Sequence, residues 1–133
     1  MTASEPPRRP TDAELAILAV IWERGQATVR EVFEELSRSQ DTGYTTVLKF
    51  MQIMTDKGLL VRDGSVRPQV FRAAQPRRRM QRRLLGDLLD KAFGGSPGSM
   101  ALQALSMRKA TPEELQALRA LIDRQSSEDG GAS

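Results

Sequence analysis

The chain contains no cysteine, no histidine and no asparagine. The first two absences remove disulfides, thiolate and imidazole metal ligands, and the commonest general base of enzymes. Aromatic residues make up only 5% of the sequence, which gives little support to a single-strand or RNA module that stacks bases. No apolar run approaches the roughly 20 residues that a membrane span needs, and no charged start followed by an apolar core suggests a signal peptide. A P-loop lysine motif, a nucleophile elbow and carboxylates at metal-site spacing are also missing. The Gly-rich stretch FGGSPG, residues 93–98, lacks the Gly-Lys-Ser/Thr ending of a phosphate loop and reads as a helix break. The expectation is a cytoplasmic protein with no catalytic residues, no metal, no cofactor and no membrane insertion.

What is present is charge and helical patterning. The chain has 133 residues, 39% of them hydrophobic, enough for one compact unit or two small lobes. Lys and Arg number 20 against 17 Asp and Glu, a net charge of +3, so where the charge sits matters more than its total. The ends, residues 1–10 and 126–133, are polar and rich in Pro, Gly or Ser, and both are expected to be disordered tails.

Between the tails, Thr-x-x-Glu stands before an apolar run at Thr11/Glu14, Thr28/Glu31 and Thr111/Glu114. A hydroxyl and a carboxylate at that spacing satisfy the first free N–H groups of a helix. A first helix, about Thr11 to Arg24, is apolar nearly all round and should be buried, with Gly25 ending it. A second starts at Thr28 and carries a narrow stripe of Val29, Val32, Phe33 and Leu36. A third holds Tyr44, Val47, Leu48, Met51 and Met54 on one side and closes at Gly58; Tyr44 and the two methionines are expected in the core. LLVRD and QVFRA around Asp63-Gly64-Ser65 read as a two-stranded hairpin whose ladder Pro68 limits. Beyond Pro76 three more helices are expected, about Arg77–Phe93, Pro97–Met107 and Thr111–Gln125.

Three helices and a hairpin, in that order, form a winged helix-turn-helix, expected over residues 11–75. The fold class is then mainly α with one small β-hairpin, the winged domain being followed by a three-helix arm over residues 76–125. About 50 residues in three helices bury too little to stand alone, so the arm is expected to form a homodimer. Its candidate dimerisation residues are Leu84, Leu88, Leu89, Phe93, Leu102, Leu105, Leu115, Leu118, Leu121 and Ile122.

The wet face of the third helix carries Thr45, Thr46, Lys49 and Gln52, types that donate to phosphates or base edges. Thr42, just before the helix, joins the candidate DNA-binding set. Ile53, near that face, is expected to pack against a neighbouring element, and an ordinary solvated face is the bland reading of the whole set. Arg62, Arg67 and Arg72 of the hairpin are candidates for neutralising phosphates, or solubilising strand charges if taken singly. Arg77, Arg78, Arg79, Arg82 and Arg83 crowd the start of the fourth helix, where the dipole disfavours positive charge. Contact with DNA backbone or with acidic residues of a second subunit would each account for them.

Four blocks, PTDAELAILAVIWERGQATVREV, YTTVLKFMQIMTDKGLL, FGGSPGSMALQAL and TPEELQALRALID, together with the basic wing, resemble the penicillinase-repressor family, also called the BlaI/MecI/CopY family. The resemblance runs from about Thr11 to Asp123. It implies a dimeric bacterial repressor, cytoplasmic, whose winged helix binds an inverted-repeat double-stranded DNA operator and whose helical arm joins two subunits. YTTV resembles the start of the family's recognition helix, which maps a DNA-contacting role onto Tyr44, Thr45, Thr46 and Lys49. Gln52 and Ile53 stand where members often carry further basic residues. Copper-responsive members use cysteines that this chain lacks. In the β-lactam-responsive members a membrane-anchored sensor protease cuts the arm between Asn and Phe, and without an Asn such relief would need another bond. The alternative from another class is a protein-interaction adaptor that keeps the winged helix without reading DNA sequence; a small enzyme is the third.

Overall fold

A computed structural model describes residues 9–132, with side-chain surroundings for residues 9–128. Six helices and two strands follow in the order α1 (Asp12–Arg24), α2 (Val29–Leu36), α3 (Tyr44–Asp56), β1 (Leu60–Asp63), β2 (Val70–Ala73), α4 (Arg77–Ala92), α5 (Pro97–Met107) and α6 (Pro112–Ala132). The chain divides into two compact units, one ending at Leu85 and the other beginning at Gly86.

All three Thr-x-x-Glu signals are reciprocal capping boxes. Thr11 and Thr28 each accept from the N–H of Glu14 and Glu31, whose carboxylates accept from the backbone N–H of the threonines. Thr111 and Glu114 exchange the same two bonds ahead of α6. Gly25 and Gly58 end α1 and close the turn after α3 at φ 86° and 84°, a left-handed region that side chains with a Cβ rarely enter.

The core of the first unit is built from Ile17, Leu18 and Ile21 of α1, Val32 of α2, and Val47, Met51 and Met54 of α3, none more than 2% exposed. Leu59, Leu60 and Phe71 bring the hairpin onto it. The strands pair antiparallel, Leu60 opposite Ala73 through Asp63 opposite Val70. The ladder stops there, so residues 64–69 form a six-residue loop rather than a tight turn at Asp63-Gly64-Ser65. On its other edge Phe71 exchanges two backbone hydrogen bonds with Ala27, at 2.8 and 2.9 Å, which fixes the wing against the α1–α2 connection.

Several expectations need correction. Tyr44 is 37% exposed and is not part of the core: at the first position of α3 its ring meets Phe33 and Arg30 of α2 instead. Arg9 is exposed and Pro10 is buried, so the first unit includes residues before Thr11, while residues 1–8 of the expected N-terminal tail fall outside the described residues. α6 does not end near Gln125 but runs to Ala132, through most of the expected C-terminal tail. The first unit also reaches beyond residue 75, because Met80 is 4% exposed in its core and Leu84 packs against it. The Trp22 indole N–H donates to the Gln75 carbonyl at 3.0 Å, which ties α1 to the entry of α4.

Glu14 is a buried carboxylate, 2% exposed. Its Oε1 accepts from the Thr11 N–H at 2.9 Å and its Oε2 from the Lys57 ammonium at 2.8 Å, across 43 residues of chain. Burial pushes the carboxyl up, but the Lys57 hydrogen bond, the Thr11 bonds and the Lys57 charge outweigh it and leave it below its ordinary value of 4.5. A carboxyl depressed in the folded state contributes stability that is complete above its unfolded value and lost as pH falls through the folded one.

Two outcomes are expected. Glu14→Gln should destabilise by about 1.5 kcal/mol in urea unfolding at neutral pH, the low end for a charge-assisted bond because Lys57 can rehydrate, and should flatten the loss of stability that wild type shows below about pH 4.5. Met80→Ala should cost about 2–4 kcal/mol, whereas a first unit that ended at residue 75 would leave the stability unchanged; the single Trp22 reports both by fluorescence.

Candidate nucleic-acid interface

Burial of Val47, Met51 and Met54 sets the rotation of α3, and the residues opposite them face solvent. Thr45, Thr46, Lys49 and Gln52 are all exposed, as expected, and from Tyr44 through Thr55 the helix carries no carboxylate. Ile53, 37% exposed, sits beside Gln52 on this face and does not pack inward. Thr42 is half-buried just before Gly43, the N-cap, which makes no side-chain cap bond. With no acid in its first turn, α3 presents the positive end of its dipole uncompensated.

The hairpin arginines do not share one face or one environment. Residues directly opposite in an antiparallel ladder share a face, and successive residues alternate. Arg62 therefore lies on the side of Phe71 and Leu60, turned toward the helices, while Arg72 lies on the far side with Val61 and Asp63. Arg72 also has a counter-charge. Asp63 sits below its ordinary pKa because the Ser65 hydroxyl and N–H donate to it, at 2.6 and 2.9 Å, with the Arg72 charge adding to the effect. Arg67 folds back on its own loop, its Nη1 donating to the carbonyls of Gly64 at 2.8 Å and Val66 at 3.3 Å. Sequence spacing alone could not separate these three arginines, because the split comes from ladder register and loop closure.

At the start of α4, Arg77 is already occupied. Its guanidinium pairs with Glu23 at 3.6 Å and lies 5.9 Å from the centre of the Trp22 ring, so it serves the packing of α4 on α1. Arg78, Arg79 and Arg82 are exposed, and Arg83 is half-buried.

One feature had no signature in the sequence. Between the start of α2, α3 and the hairpin runs a groove of about 190 Å³, lined among others by Arg30, Tyr44, Gln52, Arg62 and Gln69. The Arg30 guanidinium lies 4.7 Å from the centre of the Tyr44 ring, and that ring meets Phe33 edge-on at 5.8 Å. Arg30 sits inside the Thr28/Glu31 capping signal and Gln69 opens the QVFRA run, but neither signal points to this face; the packing of α2 on α3 and the pairing of Phe71 with Ala27 bring them to it.

A family model described as penicillinase repressor matches residues 10–124. The chain belongs to the penicillinase repressor family. Two curated relatives, each a transcriptional regulator BlaI from a strain of Mycobacterium tuberculosis (CDC 1551 / Oshkosh and ATCC 25618 / H37Rv), are 29% identical over 113 residues, 84% of this chain and 82% of theirs. A solution structure of the Bacillus licheniformis BlaI monomeric form in complex with the blaP half-operator is 25% identical, with a TM-score of 0.49, over 54% of this chain and 88% of that one. Membership places the chain among DNA-binding transcriptional repressors and not among enzymes. Among the described residues of this repressor-family chain, no helix is long and apolar enough to cross a membrane.

Within the second unit, no residue from 86 to 128 is buried. Leu88, Leu105 and Leu121 are 42–43% exposed, Ile122 59% and Leu102 71%. Leu89, Phe93, Leu115 and Leu118 are half-buried. Leu84, expected with them, belongs instead to the first unit, where the core takes its side chain. α5 and α6 enclose an apolar groove of about 580 Å³, lined among others by Ala104, Leu105, Leu118 and Leu121.

Proposed function

We propose that the protein is a homodimeric repressor that reads an inverted-repeat operator with two copies of α3. The observation that carries this is the solvent face of α3 in a penicillinase-repressor-family chain: Thr45, Thr46, Lys49 and Gln52 stand exposed with no carboxylate between Tyr44 and Thr55. Lys pairs with guanine acceptors, Gln bridges adenine N6 and N7, and the threonine methyls suit thymine. Tyr44, Thr42 and the exposed Ile53 flank these reading residues. Arg62 supplies a phosphate contact from the wing, and Arg78 and Arg79 supply further backbone contacts. Arg67, Arg72 and Arg77 drop to structural or solvated roles, for the reasons of register and pairing given above.

Dimerisation through the second unit is supported by its lack of an interior. Three helices that leave Leu102, Ile122 and Met107 more than half exposed cannot offset the entropy of ordering themselves. A second copy laid on the α5–α6 groove would cover Leu88, Leu105 and Leu121, with Leu89, Phe93, Leu115 and Leu118 completing the interface. Two half-sites about 34–36 Å apart, or a multiple, would then be bound together. Such linkage strengthens binding by about 10²–10⁴, which makes the arm the point at which repression is relieved. A membrane-anchored sensor protease cutting the second unit is the finer form of that reading. The family resemblance supports it, and the bond would differ from an Asn–Phe one.

Selection of bound fragments from the native genome, followed by mobility shift, tests the reading directly. One enriched palindromic segment is expected, and binding indifferent to sequence would favour the adaptor alternative. On the selected duplex, Lys49→Ala and Gln52→Ala should each relax base preference by about 1–3 kcal/mol at one position, while Arg62→Gln should weaken every sequence alike and Arg72→Gln should change nothing. The double variant Leu105→Glu, Leu121→Glu should sediment as a monomer and lose about 10²–10⁴ in operator affinity; a monomeric wild type would overturn the dimer.

A further inference from the structure

The groove between α2, α3 and the hairpin carries two guanidinium groups, from Arg30 and Arg62, and no acidic residue lines it. The carboxylate next to each arginine in sequence is spent elsewhere. Glu31 accepts from the Thr28 N–H with Oε1, at 2.9 Å, and pairs with Arg24 through Oε2, at 2.8 Å. Asp63 accepts from Ser65 and lies on the opposite face of the hairpin from Arg62. Neither Arg30 nor Arg62 has an ion pair among the described residues. Both are exposed to solvent, Arg30 with its guanidinium over the Tyr44 ring.

We propose that Arg30 and Arg62 form one clasp for a single backbone phosphate of bound duplex, with the Arg30 guanidinium held in place over the Tyr44 ring. This rests on the duplex-binding reading above and adds to it a residue of α2 and the pairing. Guanidinium groups favour phosphate because their planar forks match its oxygens. At about 190 Å³ the groove falls below the 300–1,000 Å³ of cofactor-sized pockets but accommodates one phosphate group. Gln52 and Gln69 at its wall carry amide donors for the remaining phosphate oxygens. Gln52 also stands on the reading face of α3, so a phosphate seated here sets the depth and register of that helix in its groove. The stack on Tyr44, 4.7 Å from ring centre to guanidinium, removes freedom that Arg30 would otherwise lose on binding.

The test is the salt dependence of binding to a scrambled duplex of about three helical turns, because a phosphate contact needs no particular sequence. Each neutralised phosphate contributes about 0.9 to the slope of log K against log salt concentration. The double variant Arg30→Gln, Arg62→Gln should lose about 1.8, one phosphate from each protomer of the dimer, and no more, each single variant falling between it and wild type. A double variant that loses about 3.6 would show two separate phosphates per protomer, and an unchanged slope would show none; either overturns the clasp. Saturable, Arg30-dependent binding of inorganic phosphate at constant ionic strength, with no change in the duplex slope, would give the groove to a free small ligand and also overturn it. Failure here is separable from failure of the repressor reading. Sequence preference on genomic fragments can survive with the slope unchanged, whereas a wild type that binds no duplex removes both.

Discussion

The orientation of α3 about its own axis is the constraint on which the interface depends. Val47, Met51 and Met54 lie at i, i+4 and i+7 and are no more than 1% exposed against α1 and α2. A helix turns about 100° per residue, so a rotation of about half a turn would expose the two methionines and bury Lys49. The far end of the helix is held by a different force. Lys57, which caps it, reaches the buried Glu14 carboxylate at the start of α1, so the helix is clamped by apolar burial along its length and by a charge-assisted bond at its end. The same Glu14 completes the capping box of α1. One carboxylate thus serves local and tertiary structure together, and burying it is tolerable only because both of its oxygens are satisfied.

The two units solve different physical problems. The first closes its core with side chains from α1, α2, α3, the hairpin and the first turns of α4. Its polar attachments, Trp22 to Gln75 and Phe71 to Ala27, hold wing and helix at fixed places. The second has caps, a proline start at Pro97 and a capping box at Thr111, and so has well-specified helices, but nothing buried between them. Helices specified locally but without an interior take their stability from tertiary or quaternary packing. In the dimer proposed above, the affinity of the first unit for DNA would be conditional on association of the second.

Local chemistry was the most legible part of the chain. Every Thr-x-x-Glu proved to be a capping box because that signal works within one turn, where spacing in sequence is spacing in space. The identity of α3 and the exposure of Thr45, Thr46, Lys49 and Gln52 were legible for the same reason, through helical periodicity. The arginines were not. Arg62 and Arg72 look equivalent in sequence, yet ladder register puts one beside the groove and the other near Asp63. Arg77 looked like part of a basic patch until Glu23 and Trp22, on another helix, claimed it. Tyr44 was misplaced because helical periodicity indicates an apolar side without indicating how far along the helix its cover extends, and Ile53 because its apolar character suggested packing while its position on the helix put it beside Gln52.

By itself the sequence determined the elements, their caps, the order of three helices and a hairpin, and family membership, because each is written in short-range spacing or in the succession of blocks. Tertiary structure alone decided where the first unit ends, with Met80 and Leu84 drawn into its core, and which arginines remain uncompensated. It alone brought Arg30, Gln52, Arg62 and Gln69 to one groove. Those outcomes depend on pairings between residues tens of positions apart, and a charge carries no mark of its partner until the chain has folded around both.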